Sequence, residues 1–119
     1  METMPRFLEV RQGGKRTFLE PAKILHMEAS SNYTTIHAEG QRPVMVAKVL
    51  KKYQQLLECY GFMRINNSVL INTHKVRAIN QDGGIVMDNE SKFYPSRRRK
   101  SEMKNFLKVS VAPQFLPLP

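Results

Sequence analysis

Short apolar or alternating runs, none longer than seven residues and each closed by a turn signal, recur along most of the chain. "RFLEVR" (6–11) sets Leu8 and Val10 against charged neighbours, and "QGGK" turns the chain into "RTFLE", which Pro21 ends. "ILHMEAS" (24–30) and "YTTIHAE" (33–39) are joined across Ser31-Asn32, and Gly40 leads into "VMV" (44–46). "FMRI" (62–65), "VLI" (69–71), "VRAI" (76–79), "IVM" (85–87) and "KFY" (92–94) follow, with "NQDGG" after Ile79. Alternation and β-branching make these runs strands. Their spacing leaves no room for the crossover helices that a parallel sheet needs, so the strands are expected to be mostly antiparallel.

One helix interrupts the pattern. Val49, Leu50, Tyr53, Leu56, Leu57 and Tyr60 form a single apolar stripe, and Lys48, Lys51, Lys52, Gln54 and Gln55 cover the other side. Gly61 stands where a C-cap belongs. A second, shorter helix is expected from about Ser101 to Lys108, with Met103, Phe106 and Leu107 inward. The expected fold is therefore mainly all-β: antiparallel sheets with one or two short helices. At 119 residues there is room for one domain, taken as 5–108, between an N-terminal tail (1–4) and a Pro-rich tail (109–119).

Charge narrows the function. Nineteen Lys and Arg against ten acids give +9 and a pI near 10.0, which suits nucleic acid, an anionic membrane or an acidic protein as partner. The excess is uneven. Residues 92–108 carry seven basic side chains (Lys92, Arg97, Arg98, Arg99, Lys100, Lys104, Lys108) against Glu102 alone. "RRRK" (97–100) lies just before or within the first turn of the second helix, where cations are disfavoured by about 0.3–1 kcal/mol each. Two readings fit: a solvated surface cluster, or a site at which a partner's anion compensates.

A lone cysteine, Cys59, excludes an internal disulfide and favours a reducing, cytoplasmic setting; it reads as a packed thiol at the edge of the helix stripe. "METMPRFLEV" lacks a signal-peptide layout, and no apolar run reaches the ~18 residues of a membrane span. His26, His37 and His74 are separated from one another and from Cys59, with no metal-ligand spacing, so His26 and His37 are expected to face solvent or a strand neighbour. Asp88 and Glu90 are a close acidic pair on an expected hairpin turn, and no Gly-rich phosphate loop occurs. The chain is read as a non-enzyme with no cofactor and no metal.

"RINNSVLIN" (64–72) places Asn66, Asn67 and Ser68 where a buried strand should already have begun. Such residues serve either as Asx-turn formers bonding nearby backbone or as pre-positioned amides for a partner. A primary amide matches the N6/N7 edge of adenine, and a guanidinium matches guanine. An amide loop and an arginine cluster on one basic domain are a plausible base-reading set.

The order "HMEASSNYTTIH" (26–37), "VLKKYQQLL" (49–57), "GFMRINNSVLIN" (61–72), "VRAI" (76–79) and "YPSRRRKSEMK" (94–104) resembles the LytTR family of bacterial DNA-binding domains. Its F-x-R-x-x-S-x-x-x-N signature is met by Phe62, Arg64, Ser68 and Asn72, and its terminal Ser-Arg-Arg by Ser96, Arg97 and Arg98. Family members commonly have His-Arg just before the signature Ser, where this chain has Asn66-Asn67. The resemblance spans about residues 5–108. It implies an elongated stack of antiparallel sheets whose loops, rather than a recognition helix, enter successive major grooves of double-stranded DNA. Pairs of copies on promoter direct repeats are implied too, as is regulation of transcription in a two-component response. No receiver fits in 119 residues, so a receiver domain or sensor kinase would lie upstream.

The resemblance puts the reading loops at Ser31–Thr34, Asn66–Ser68 and Ser96–Arg98. Thr34, Asn66, Asn67 and Arg98 are the candidates for base edges. Ser31, Lys48, Ser68, Ser96, Arg97, Arg99 and Lys100 are the candidates for phosphates, with Arg64 and Asn72 anchoring the strand pair. The rival readings are a β-rich RNA-binding module, for which Tyr33 and Phe93 are the stacking candidates, and a module that meets acidic proteins or a membrane surface through "RRRK".

Overall fold

The structure, a computed structural model, describes residues 7–102. Strands β1 (Leu8–Gln12) and β2 (Lys15–Leu19) form a hairpin over Gly13-Gly14, both at positive φ, as a tight two-residue turn requires. Then come β3 (Ile24–Ser30), β4 (Tyr33–Ala38), β5 (Val44–Val46), helix α1 (Leu50–Leu57), β6 (Phe62–Asn66), β7 (Val69–Asn72), β8 (Val76–Ile79), β9 (Ile85–Met87) and β10 (Lys92–Phe93). Residues 97–102 are helical and are called α2 here. Every strand pairing is antiparallel: a five-stranded sheet β5-β4-β3-β7-β6, a three-stranded sheet β10-β9-β8, and the first hairpin.

The central sheet is covered on both faces, which is why β7 is buried throughout. Met27, Ile36, Val44, Val46, Phe62 and Leu70 pack against Leu50, Tyr53 and Leu57 of α1 and against Leu8, Val10 and Leu19. On the other face Ile65, Val69 and Ile71 meet Val76, Ile85 and Met87 of the small sheet. Each such buried side chain contributes roughly 1.5–3 kcal/mol of transfer free energy. Asn72 ties β7 to β3 within the central sheet: its buried amide donates to the Ile24 carbonyl and accepts from the His74 N–H, so its side chain holds β3 and the following turn rather than the β6–β7 pair. Among the described residues no helix is long and apolar enough to cross a membrane.

Several expectations change. Helix α1 starts at Leu50, passes into a 3-10 turn at Glu58–Tyr60 and ends on Gly61 at φ 95°. Val49 and Leu56 are exposed, so the inner stripe is Leu50, Tyr53 and Leu57. Cys59 is exposed rather than packed, because two residues beyond the buried Leu57 it points to the opposite side of the helix from the inner stripe. Helix α2 begins at residue 97, not 101, so "RRRK" forms its first turn. Met103, Phe106 and Leu107, with the tails 1–4 and 109–119, lie outside the described residues. Phe93 is half-buried, and among the described residues the exposed aromatics are Phe7, Phe18, Tyr33 and Tyr94.

Candidate nucleic-acid interface

Antiparallel pairing gathers distant segments at one end of the central sheet. The β3–β4 turn (Ser31-Asn32, with Ser31 at φ 54°) and the β6–β7 turn (Asn67-Ser68) are adjacent there, because the Ala29 N–H donates to the Ser68 carbonyl at 2.8 Å. The chain before α2 docks on the same end: the Ser96 N–H donates to the Ile65 carbonyl at 2.8 Å. Lys48, just past β5, joins them, its carbonyl accepting from the Thr34 hydroxyl at 2.6 Å. Arg64, Asn66, Asn67, Ser96, Arg97, Arg98 and Arg99 line a cleft of about 450 Å³.

Arg64 builds the loop, the anchoring role foreseen for it. Its Nε donates to the Asn66 carbonyl at 3.1 Å, one terminal nitrogen to the Asn67 carbonyl at 2.6 Å and the other to Gln54 Oε1 of α1 at 3.2 Å. Burial, and secondarily the charge of Arg99, lowers its pKa from the ordinary guanidinium value. Cations are thus crowded in the cleft, a setting that an anion relieves.

The two asparagines divide the work. A register shift between Arg64 and Asn66 lets Asn66 pair with Val69. Its Oδ1 then accepts the Ser68 N–H at 2.7 Å, and its Nδ2 donates to the Tyr94 carbonyl at 2.8 Å. Asn66 is therefore corrected from base-reading candidate to loop former, since both ends of its amide hold backbone. The exposed Asn67 amide makes no hydrogen bond among the described residues. Thr34 is corrected too: it is fully buried, its hydroxyl committed to Lys48.

Arg97 and Arg98 are exposed and, among the described residues, unpaired. Arg99 reaches Glu102 at 3.4 Å. Ser96 caps α2, its Oγ and carbonyl both accepting from the Arg99 N–H, at 3.3 and 3.1 Å. Ser31 and Ser68 are exposed. The Lys48 ammonium lies 5.7 Å from the centre of the Tyr53 ring. Lys100 runs beside Gly83, away from the residues that line the cleft.

Asn66→Ala is expected to cost about 1–2 kcal/mol of stability by releasing the 94–96 segment from the loop. In urea denaturation the midpoint should fall with the slope unchanged, and a variant as stable as the parent would remove Asn66 from this role.

Three groups that the sequence reading kept apart are together. His26 and His37, equidistant from the Ser31-Asn32 turn, are cross-strand partners whose rings lie 4.4 Å apart. Glu28, two residues on from His26, shares their face and reaches both. Of the two settings expected for His26, solvent or a strand neighbour, the structure shows the second: the ring is fully buried against His37. Burial, with His37 secondarily, pushes its pKa down to about 4, so the ring is neutral at pH 7. The missed signal was hairpin symmetry about the Ser31-Asn32 turn.

The sequence model described as the LytTr DNA-binding domain matches residues 14–108. A solved LytTr DNA-binding domain from Bacillus cereus has the same fold, with a TM-score of 0.75 at 20% identity over 87% of this chain and 97% of that one. No curated protein matches the chain.

Proposed function

The chain belongs to the LytTR family of DNA-binding domains, and from that membership in a family that regulates transcription we propose how it recognises its site. Loops at one end of the central sheet enter successive major grooves of double-stranded DNA, and two copies occupy direct repeats in a promoter. The observation that carries this reading is the cleft in which a free amide, Asn67, faces the same space as the guanidiniums of Arg97, Arg98 and Arg99. Asn67 and Arg98 read base edges. Ser31, Ser68, Ser96, Arg97 and Arg99 hold phosphates, with Lys48 at the edge of the contact and Lys100 beyond the cleft on the flanking backbone. The chain acts in the cytoplasm as a binding module rather than an enzyme, and an upstream receiver or sensor kinase supplies its signal.

Selection from a random duplex library tests the activity and yields the motif. On the selected duplex, Asn67→Ala and Arg98→Ala should each lose about 1–3 kcal/mol and relax preference at one position. Arg99→Ala should weaken binding to all duplexes alike. Uniform losses for all three variants in fluorescence anisotropy would refute the base-reading assignment. Preference for an RNA competitor over duplex DNA would refute the proposal itself.

A further inference from the structure

We propose that His26, Glu28 and His37 form a binding site for a divalent transition-metal ion of the zinc type, stapling β3 to β4. The inference does not depend on the DNA reading. The ligand atoms converge: His37 Nε2 lies 2.9 Å and His26 Nδ1 3.5 Å from the same Glu28 Oε2, and all three are within 4.8 Å of one another. A tetrahedral ion with bonds of ~2.0–2.1 Å holds its ligands about 3.4 Å apart, so small side-chain shifts suffice. Two imidazoles and one carboxylate, leaving a fourth position for water, make a known zinc ligand set.

A second observation points to a ligand independently. His26 Nδ1 is buried and has no hydrogen-bond partner, although it is aimed at the cluster. Buried polar atoms are nearly always satisfied, and an ion satisfies this one. The backbone holds the donors ready, with His26 opposite His37 in register and Phe93 edge-on to the His26 ring at 4.7 Å. Access is through His37 and Glu28, which are 26% and 41% exposed. His37 also lines a cleft of about 490 Å³ with Asn89 and two acids, Asp88 and the Lys75-paired Glu39, and the Asp88 carboxylate favours a cation's approach.

Coordination requires Nδ1 to give its lone pair to the ion while Nε2 carries the ring proton. Asn89, whose Nδ2 lies 3.2 Å from His26 Nε2, is exposed and turns its amide oxygen to accept that proton. The turn bond from the Ser91 N–H to Asn89 Oδ1 is released in exchange.

Zinc titration of the full chain by calorimetry is the test. The wild type should bind one equivalent, and its thermal midpoint should rise by roughly 10 °C at a hundredfold excess over Kd. Glu28→Gln and His37→Asn should each weaken binding roughly a hundredfold or more, since a direct ligand matters at least as much as the groups behind it. Both variants should keep the parent's circular dichroism spectrum and DNA affinity. Cobalt added to the wild type should give the visible spectrum of a four-coordinate site, a readout that needs no variant to fold. No binding by the wild type, undiminished binding in both variants, or a purely octahedral cobalt spectrum would each overturn the proposal.

Discussion

Between 50 and 200 mM salt the affinity of this chain for its duplex is expected to fall about a thousandfold. Each phosphate neutralised releases condensed counterions, so the logarithm of the binding constant falls linearly with the logarithm of salt, with a slope near −0.9 per contact. A net charge of +9, with seven basic side chains between residues 92 and 108, supports about six contacts and hence a slope near −5. The pairing pattern agrees. Glu9 and Glu20 occupy Arg16 and Lys23, whereas among the described residues Arg97 and Arg98 have no acidic partner. Anisotropy titrations over a potassium chloride series give the slope directly. A value shallower than about −2 would rule out six contacts, and Arg97→Ala should reduce the slope by about one unit.

Phe62→Ala is expected to cost about 3–5 kcal/mol, a large share of the ~5–15 kcal/mol that holds a domain together. Phe62 is 2% exposed at the start of β6, in the cluster that joins α1 to the central sheet. Removing its ring empties space between two layers, and backbone pairing with Asn72 stops β6 from closing it. Strand β6 also carries Arg64 and Asn66, so the same substitution should loosen the cleft. Urea denaturation should show a lower midpoint at an unchanged slope. A loss below about 1 kcal/mol would mean that this layer does not depend on the ring.

The strands were legible because their signals are local. Turn glycines, the Ser31-Asn32 pair and β-branched alternation mark each run, and β3, β5, β8 and β9 have the bounds expected of them. The burial of Thr34 was legible in principle, since it shares strand parity with the buried Ile36 and Ala38, but the family resemblance had set it on a reading loop. The candidate cleft was readable only as ingredients. Residues 64–67 and 96–99 are each polar or basic, but nothing local says that the Ser96 N–H meets the Ile65 carbonyl.

By itself the sequence determined the antiparallel all-β architecture, the basic excess and the family, because turn chemistry, alternation and charge belong to single residues and near neighbours. The tertiary structure alone decided which asparagine is free. Asn66 and Asn67 have the same side chain, and a one-residue register shift together with the arrival of the Tyr94 carbonyl commits one amide and leaves the other. It also decided that His26, Glu28 and His37 meet, since strand pairing converts separations along the chain into contacts across a sheet.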